Sequence, residues 1–128
     1  MQNKIKGKQG EQIAQNYLKK NGYEILETNF HFSRFGEVDI IAKKDGKIIF
    51  TEVKLRSSTD FGHPFEAITR TKLKKIFSCA QFYLSQYKTS AAAGAKSAFP
   101  YKGFQIDVIS VLSNENPPKI EHLKNIEL

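Results

Sequence analysis

The Asp45-Gly46 pair constrains the fold more than any other feature of the chain, because it joins two segments of strand-forming residues. The flanking segments read EVDIIAKK and KIIFTEVKL. A two-residue Asp-Gly loop is typical of a tight β-hairpin, and the loop then fixes which residues face each other. Lys44 faces Lys47, and each earlier residue of the first strand faces a correspondingly later residue of the second.

This register places Asp39 opposite Glu52 and Glu37 opposite Lys54. Directly opposed side chains point to the same face of a sheet and lie close together. Like charges in such positions cost stability, so the acid pair calls for a compensating cation. Carboxylate oxygens are the ligands that Mg²⁺ prefers, and Mn²⁺ takes similar sites. The hairpin therefore predicts a Mg²⁺ or Mn²⁺ site between Asp39 and Glu52.

Lys54 lies two residues beyond Glu52, so strand alternation turns it to the same face together with Phe50. An ammonium group there could orient or deprotonate an attacking water and offset charge on a phosphate. A second interpretation stays open. Asp39 and Glu52 would then be solvated charges on an exposed sheet face, and Glu37 and Lys54 an ordinary cross-strand pair. Ile49, Thr51, Val53 and Leu55 point the other way, toward a presumed core.

The remaining chain is organised around two predicted helices. The first covers residues 8–20, with Ile13, Ala14, Tyr17 and Leu18 on one face, and ends at Asn21-Gly22. A strand over 23–32 and a turn at SRFG lead into the hairpin. A loop from Arg56 to Pro64 precedes the second helix, predicted from Thr71 to Tyr87 with the buried stripe Leu73, Ile76, Phe77, Ala80 and Leu84. Phe82 lies opposite that stripe, as a lone exposed aromatic or as part of a partner surface.

Residues 88–102 show no clear period and are predicted to form a mobile surface loop. GFQIDVISVL then predicts a strand, and the tail after Pro118 holds one short element of undetermined type. This order predicts an α/β or α+β fold in which helices flank a central mixed sheet. The 128 residues, 40% of them hydrophobic, predict a single domain with a core over about 8–112 and a tail over 113–128.

The charge and the rare residue types narrow the function. A net charge of +7 suits a polyanionic partner such as nucleic acid or an anionic membrane surface, although plain solubility also explains it. The sequence contains no apolar run of membrane-spanning length and begins without the apolar segment of a secretory signal, so we expect a cytoplasmic protein without a membrane partner. One cysteine, Cys79, and three widely separated histidines exclude an internal disulfide and argue against a zinc site.

The segments GEVDIIA and FTEVKLR resemble the two halves of the PD-(D/E)xK nuclease motif, with Asp39, Glu52 and Lys54 at the three motif positions. Val38 stands where the motif name has proline. Further markers occur in order along the chain: Gly10-Glu11, Gly22-Tyr23, Asn29, Gly36-Glu37-Val38-Asp39, Glu52-Val53-Lys54 with Arg56, Gly62 to Ala67, Lys72 and Asp107-Val108. By these markers the whole chain up to about Leu112 resembles the YraN family of small bacterial proteins.

The resemblance implies a restriction-endonuclease-like fold close to that of Holliday junction resolvases. In resolvase-like relatives an acid on the first helix completes the metal site, which implies a ligand role for Glu11. A favourable charge in the first helical turn is an equally good explanation of that residue. Gln105 stands where relatives often have a basic residue, which weakens a role for that strand in phosphate contact. Analogy with resolvases also implies a homodimer.

The function expected from the sequence is hydrolysis of DNA phosphodiesters, including those of branched or non-standard DNA, by Asp39, Glu52 and Lys54 with Mg²⁺ or Mn²⁺. Arg34, Arg56 and Lys72 are the candidate phosphate contacts, since their loops flank the hairpin. Two alternatives remain. The chain could be a non-catalytic nucleic-acid-binding module on the same fold, or a protein-interaction adaptor. A salt titration separates the adaptor from the others, because phosphate contacts weaken steeply with salt.

Overall fold

The structure, a computed structural model, describes residues 7–57, 68–92 and 102–127. Its elements are α1 (Gly7–Lys20), β1 (Glu24–His31), a 3-10 turn (Ser33–Phe35), β2 (Glu37–Lys44), β3 (Lys47–Arg56), α2 (Arg70–Ala92), β4 (Gly103–Leu112) and β5 (Lys119–Leu123). The strands form one sheet in the order of the chain. β3 and β4 run parallel, and every other neighbouring pair is antiparallel. The predicted mixed sheet with flanking helices is confirmed.

The hairpin of β2 and β3 has the predicted turn and register. Asp45 and Gly46 both have positive φ angles, 49° and 79°, as a tight two-residue hairpin loop of this type requires. Pairing runs from Lys44 opposite Lys47 to Ile40 opposite Thr51 without a slip. The turn therefore sets the alignment of both strands as far as Ile40.

Both faces of the sheet are buried, each against one helix. Ala14 and Leu18 of α1 pack on one face with Ile40 and Ile49. On the other face, α2 packs with Ile76 and other side chains against a cluster that includes Phe50. The core presumed on the Ile49 side is thus one of two. The interpretation that placed Glu52 on an exposed sheet face is wrong, because Glu52 shares the α2 side with Phe50 and is 4% exposed.

Helix α2 extends further than its apolar stripe indicates. It continues to Ala92 instead of ending near Tyr87, so the first residues of the predicted loop over 88–102 are helical. The last two residues of the helix are Ala91 and Ala92, and alanine has the highest intrinsic helix propensity of any residue type. This propensity acts whether or not the sequence has an apolar stripe. Residues 93–101, and the loop from Ser58 to Pro64, lie outside the described residues. Within the described ranges, no helix has the length and apolar character needed to cross a membrane.

The tail forms the fifth strand of the sheet. β5 pairs antiparallel with β4, from Leu112 opposite Lys119 to Val108 opposite Leu123. Ile120 packs on the α1 side of the sheet, whereas Ile126 packs on the α2 side. The core therefore reaches past residue 112, and the undetermined element of the tail is a strand.

Candidate metal centre

The candidate centre lies where β2 and β3 part. Their ladder ends at the pair Ile40 and Thr51, although β2 begins earlier and β3 continues. Beyond this pair the Oδ2 atom of Asp39 accepts a hydrogen bond of 2.8 Å from the backbone N–H of Val53. The carboxylate thus takes the place of a backbone carbonyl. The ladder does not contain the predicted pair of Asp39 with Glu52, but the two acids are close enough at this fork between the strands to interact through their charges and a side-chain hydrogen bond.

Glu52 is a buried acid held between two lysines. Its side chain is 5% exposed, and its Oε2 atom lies 3.6 Å from the Nζ atoms of both Lys54 and Lys72. Each lysine side chain remains about a third exposed, at 33% and 34%. The other oxygen, Oε1, is buried and has no hydrogen-bond partner within the described part of the chain. One oxygen of Glu52 is therefore shared by two cations at ion-pair distance, while the other lacks any donor there.

The pKa of Glu52 is raised from its usual 4.5 to about 7. Burial is the largest cause, because it penalises the charged form. The negative charge of Asp39 and a hydrogen bond with its side chain raise the pKa further, and Lys72 and Lys54 act in the opposite direction. The two lysines therefore lower the pKa of Glu52 by less than burial and Asp39 raise it.

Glu11 of α1 approaches the same fork. Its Oε1 atom is buried and lacks a hydrogen-bond partner among residues 7–57, 68–92 and 102–127. Burial raises the pKa of Glu11, as do the charges of Asp39 and Glu37, against a smaller lowering by Lys8. In the described ranges, however, no three Asp, Glu, His or Cys side chains are arranged so that they could hold one metal ion together. Glu11 stands near the acid pair without completing a three-ligand site.

The predicted pairing of Glu37 with Lys54 is absent from the ladder. That prediction assumed that the ladder continues beyond Ile40 and Thr51, whereas β2 and β3 separate there. Glu37 is exposed and instead pairs with His31 of β1 in the ladder. Lys54 forms its ion pair with Glu52 instead, so its ammonium group lies beside the acid pair.

The three candidate phosphate contacts lie at the same end of the hairpin. Lys72, in the first turns of α2, directly contacts Glu52. Arg34 is exposed on the 3-10 turn just before β2 begins, and Arg56 is half-buried where β3 ends. Because β2 and β3 are antiparallel, the start of one and the end of the other flank the same fork.

A second buried acid was present in the sequence only as part of the marker Asp107-Val108. Asp107 of β4 is fully buried, and its Oδ1 atom accepts hydrogen bonds of 2.9 Å from the side chain of Gln105 and from the backbone N–H of Asn125. Its Oδ2 atom lies 2.7 Å from Nε2 of His122, which must donate because a carboxylate can only accept. The other ring nitrogen of His122 lies 3.0 Å from the Tyr17 hydroxyl.

Sequence reasoning missed this network because its partners come from α1, β4 and the tail. One signal was available: strand alternation places Gln105 and Asp107 on one face. Gln105 stands where relatives often have a basic residue, and in the structure its side chain donates a hydrogen bond to Asp107.

The chain matches known proteins over most of its length. The model of the uncharacterised protein family UPF0102 matches residues 10–111. A UPF0102 protein of Persephonella marina is 44% identical over 94% of this chain and 91% of its own length. Relatives from Syntrophomonas wolfei and Clostridioides difficile, also UPF0102 proteins, are 42% and 40% identical over 96% and 98% of this chain and 97% and 98% of their own lengths. The chain belongs to the family UPF0102, which is the YraN family that its motifs indicated.

Proposed function

We propose that this protein is a metal-dependent endonuclease that hydrolyses DNA phosphodiesters, including those of branched or non-standard DNA. Asp39 and Glu52 would hold Mg²⁺ or Mn²⁺, and Glu11 would join them by a change of side-chain rotamer. The observation that carries the proposal is the Oε1 atom of Glu52, which is buried beside a second acid with no hydrogen-bond partner in the described residues. A runner-up on the same fold is a binding module without catalysis.

The donor set fits a hard divalent cation. Leaving a buried carboxylate oxygen without a donor is costly, and most buried polar atoms in folded proteins have partners. Glu52 and Glu11 each have such an oxygen, judged over the residues that the structure describes, and both face the charge of Asp39. Mg²⁺ commonly takes one or two carboxylates and leaves its other positions to water and phosphate. A bound ion would supply Lewis-acid activation of the phosphodiester and a more acidic water.

The two lysines supply the remaining chemistry. Their Nζ atoms lie 3.6 Å from one carboxylate oxygen, which is longer than a good hydrogen bond, and both side chains reach solvent. Lys54 would orient the attacking water and offset negative charge on the phosphate. Lys72 would hold a phosphate oxygen beside it, with Arg34 and Arg56 contacting the neighbouring backbone.

The test compares cleavage of labelled duplex, single-stranded and four-way-junction DNA in Mn²⁺ by the wild type and by Lys54→Ala. Loss of Lys54 should leave folding and metal binding intact and remove cleavage, because the lysine acts on water and phosphate. Lys47→Ala is the matched control, since Lys47 lies on the same strand at its other end. Cleavage by Lys54→Ala at the wild-type rate would remove this residue from the mechanism.

Binding separates the alternatives when no substrate is cut. DNA affinity should fall steeply with rising salt, because Lys and Arg release counterions from phosphates. Binding of that kind without cleavage of any DNA form favours the non-catalytic module, and affinity that is independent of salt favours the adaptor. The homodimer implied by resolvases belongs to the same proposal, and sedimentation that shows monomers alone at high concentration would contradict it.

A further inference from the structure

An aromatic stack lies on the surface beside α2. Phe82 is 37% exposed, although it is a large apolar side chain. Its ring stacks on that of Phe32, with 4.0 Å between the ring centroids and 9° between the planes. Phe30 adds a third, more distant ring, 6.2 Å from Phe82. Single exposed apolar side chains are common, but this one is stacked on a second ring and keeps more than a third of its surface in solvent.

This stack is continuous with the fork that holds the acids. Lys75 and Phe82 are seven residues apart on α2, which is close to two full turns, so they share one stripe of the helix. Lys75 passes beside Gly36, since its Cδ atom lies 4.0 Å from the position that a Cβ on that glycine would take. Lys72 is three residues earlier and contacts Glu52. A single strip of α2 thus leads from the acid pair to the aromatic stack.

The strip has the charge of a phosphate-binding surface. The strip itself carries two basic residues, Lys72 and Lys75, and between residues 70 and 86 α2 carries no acidic residue and two further basic ones, Arg70 and Lys74, on other sides of the helix. The exposed Arg34 lies on the 3-10 turn that Gly36 directly follows. The distance along the helix from Lys72 to Phe82 is about 15 Å, at 1.5 Å per residue. That length corresponds to roughly four nucleotide steps at the 3.4 Å spacing of a duplex strand, and to fewer in an extended strand.

Aromatic rings on a basic strip bind nucleic acid by stacking on bases, which is insensitive to sequence. The bases of an intact duplex are already stacked and paired, so such a ring needs an unpaired base. We propose that the stack of Phe82 on Phe32 binds an unpaired base of DNA whose backbone follows Lys75 and Lys72 to the acid pair. The inference rests on the proposed function and specifies its substrate class, which is DNA with a single-stranded stretch next to the bond that is cut.

The experiment measures the affinity of wild type and variants for a fluorescent single-stranded oligonucleotide and for the matching blunt duplex. Phe82→Ala should weaken single-strand binding by about 5- to 150-fold, the range expected for one lost base-aromatic contact, and leave duplex binding unchanged. Phe82→Tyr should keep the wild-type preference, because tyrosine also presents an aromatic face. Gln81→Ala is the matched control, an exposed neighbour on the same helix. Thermal melting checks that each variant is folded, and Phe82→Leu serves if the alanine variant is not.

Three outcomes would overturn the inference. An equal loss of single-strand and duplex affinity in Phe82→Ala, or no loss at all, would show that the stack does not contact bases, while the proposed nuclease site stands. A change from dimer to monomer in Phe82→Ala would assign the stack to a second copy of the chain. A wild-type protein that binds neither DNA form would remove the proposed function itself, and this inference with it.

Discussion

Asp107 and Glu52 are both buried acids on neighbouring strands, yet their surroundings differ in every respect. Thr51, the residue before Glu52, pairs with Asp107 across β3 and β4, so the two acids lie close together but on opposite faces of the sheet. Asp107 has donors on both oxygens at 2.7–2.9 Å. Glu52 has two lysines at 3.6 Å on one oxygen and, counting the described residues, no donor on the other.

This difference separates a structural acid from a candidate functional one. The network of Asp107 joins α1, β4 and the tail, and it holds the last strand of the sheet in place. Glu52 has two lysines at 3.6 Å and a hydrogen bond with the side chain of a second acid, Asp39, and burial works against its charge. A buried acid that stabilises a fold has hydrogen-bond donors from the chain on both of its oxygens. One that binds a ligand keeps an oxygen without such a donor, so that this oxygen can contact the ligand. Loss of the Asp107 carboxylate should therefore reduce stability, whereas loss of the Glu52 carboxylate should reduce metal binding.

The largest expected effect is the loss of stability when Asp107 is replaced. Asp107→Ala should lower the free energy of unfolding by about 1–3 kcal/mol for each buried donor that loses its acceptor, and Asp107 accepts from three donors. Urea denaturation in EDTA measures the loss. Glu24→Ala is the control, an exposed acid on a strand. A loss no larger than that of the control would contradict the structural role, and Asp107→Asn is the milder variant if the alanine protein does not fold.

The second effect tests the ligand side of the comparison. Mn²⁺ at about 100 times its dissociation constant should stabilise the wild type by roughly 2.7 kcal/mol, because the ion binds the folded state alone. Glu52→Gln loses a ligand and should gain much less, whereas Asp107→Asn should show the full increment. Thermal melting with and without Mn²⁺ measures each difference. Equal increments in all three proteins would mean that the ion does not bind at the acid pair.

The smallest effect is the difference in stability between Glu52→Gln and the wild type in EDTA at high pH. Because the pKa of Glu52 is about 7 in the folded protein against its usual 4.5, the folded state binds more protons than the unfolded state between these values. Wild-type stability should therefore fall as the pH rises through this window. Glu52→Gln lacks the titrating group, so at about pH 8 it should equal or exceed the wild type, by about 0.2–1 kcal/mol from the relieved cross-strand repulsion.

The comparison of Glu52→Gln with Glu24→Gln isolates that effect, since Glu24 is exposed. If the difference between Glu52→Gln and wild type stays constant from low to high pH, Glu52 is not held in an unfavourable charged state. Asp39→Asn is a poorer probe, although it also relieves the repulsion, because Asp39 accepts the hydrogen bond from Val53.

The sequence predicted the acid pair because the relevant information is local. A hairpin loop of two residues fixes the register over the next few pairs, and Asp39 and Glu52 are the positions that directly follow the last pair, Ile40 and Thr51. The resemblance to resolvase-like relatives implied a role for Glu11, and Lys72 was expected near the hairpin because its loop flanks it; Glu11 lies near Asp39, and Lys72 contacts Glu52. How long a register persists is set by how the strands twist against the rest of the sheet. The end of the ladder after Ile40, and hence the partner of Lys54, could not be predicted from the sequence.

The partners of Asp107 could not be predicted for a related reason. His122 and Tyr17 are separated by 105 positions in the chain, and they meet because α1 packs on the face to which β5 adds the last strand. The short tail carries too weak a pattern to distinguish a strand from another element. The length of α2 was also underestimated, since its last turn depends on alanine propensity instead of an apolar stripe.

The hydrogen bond between Asp39 and Val53 makes one backbone amide a built-in reporter of the candidate site. In an ordinary strand pair that amide would donate to a carbonyl, whose electron density no ligand alters. Here the amide of Val53 donates to a carboxylate. A cation that binds Asp39 should therefore change the chemical shift of this amide proton and its rate of exchange with solvent. The chemistry at the fork can thus be followed by the resonance of Val53, without a substrate and without altering a single residue.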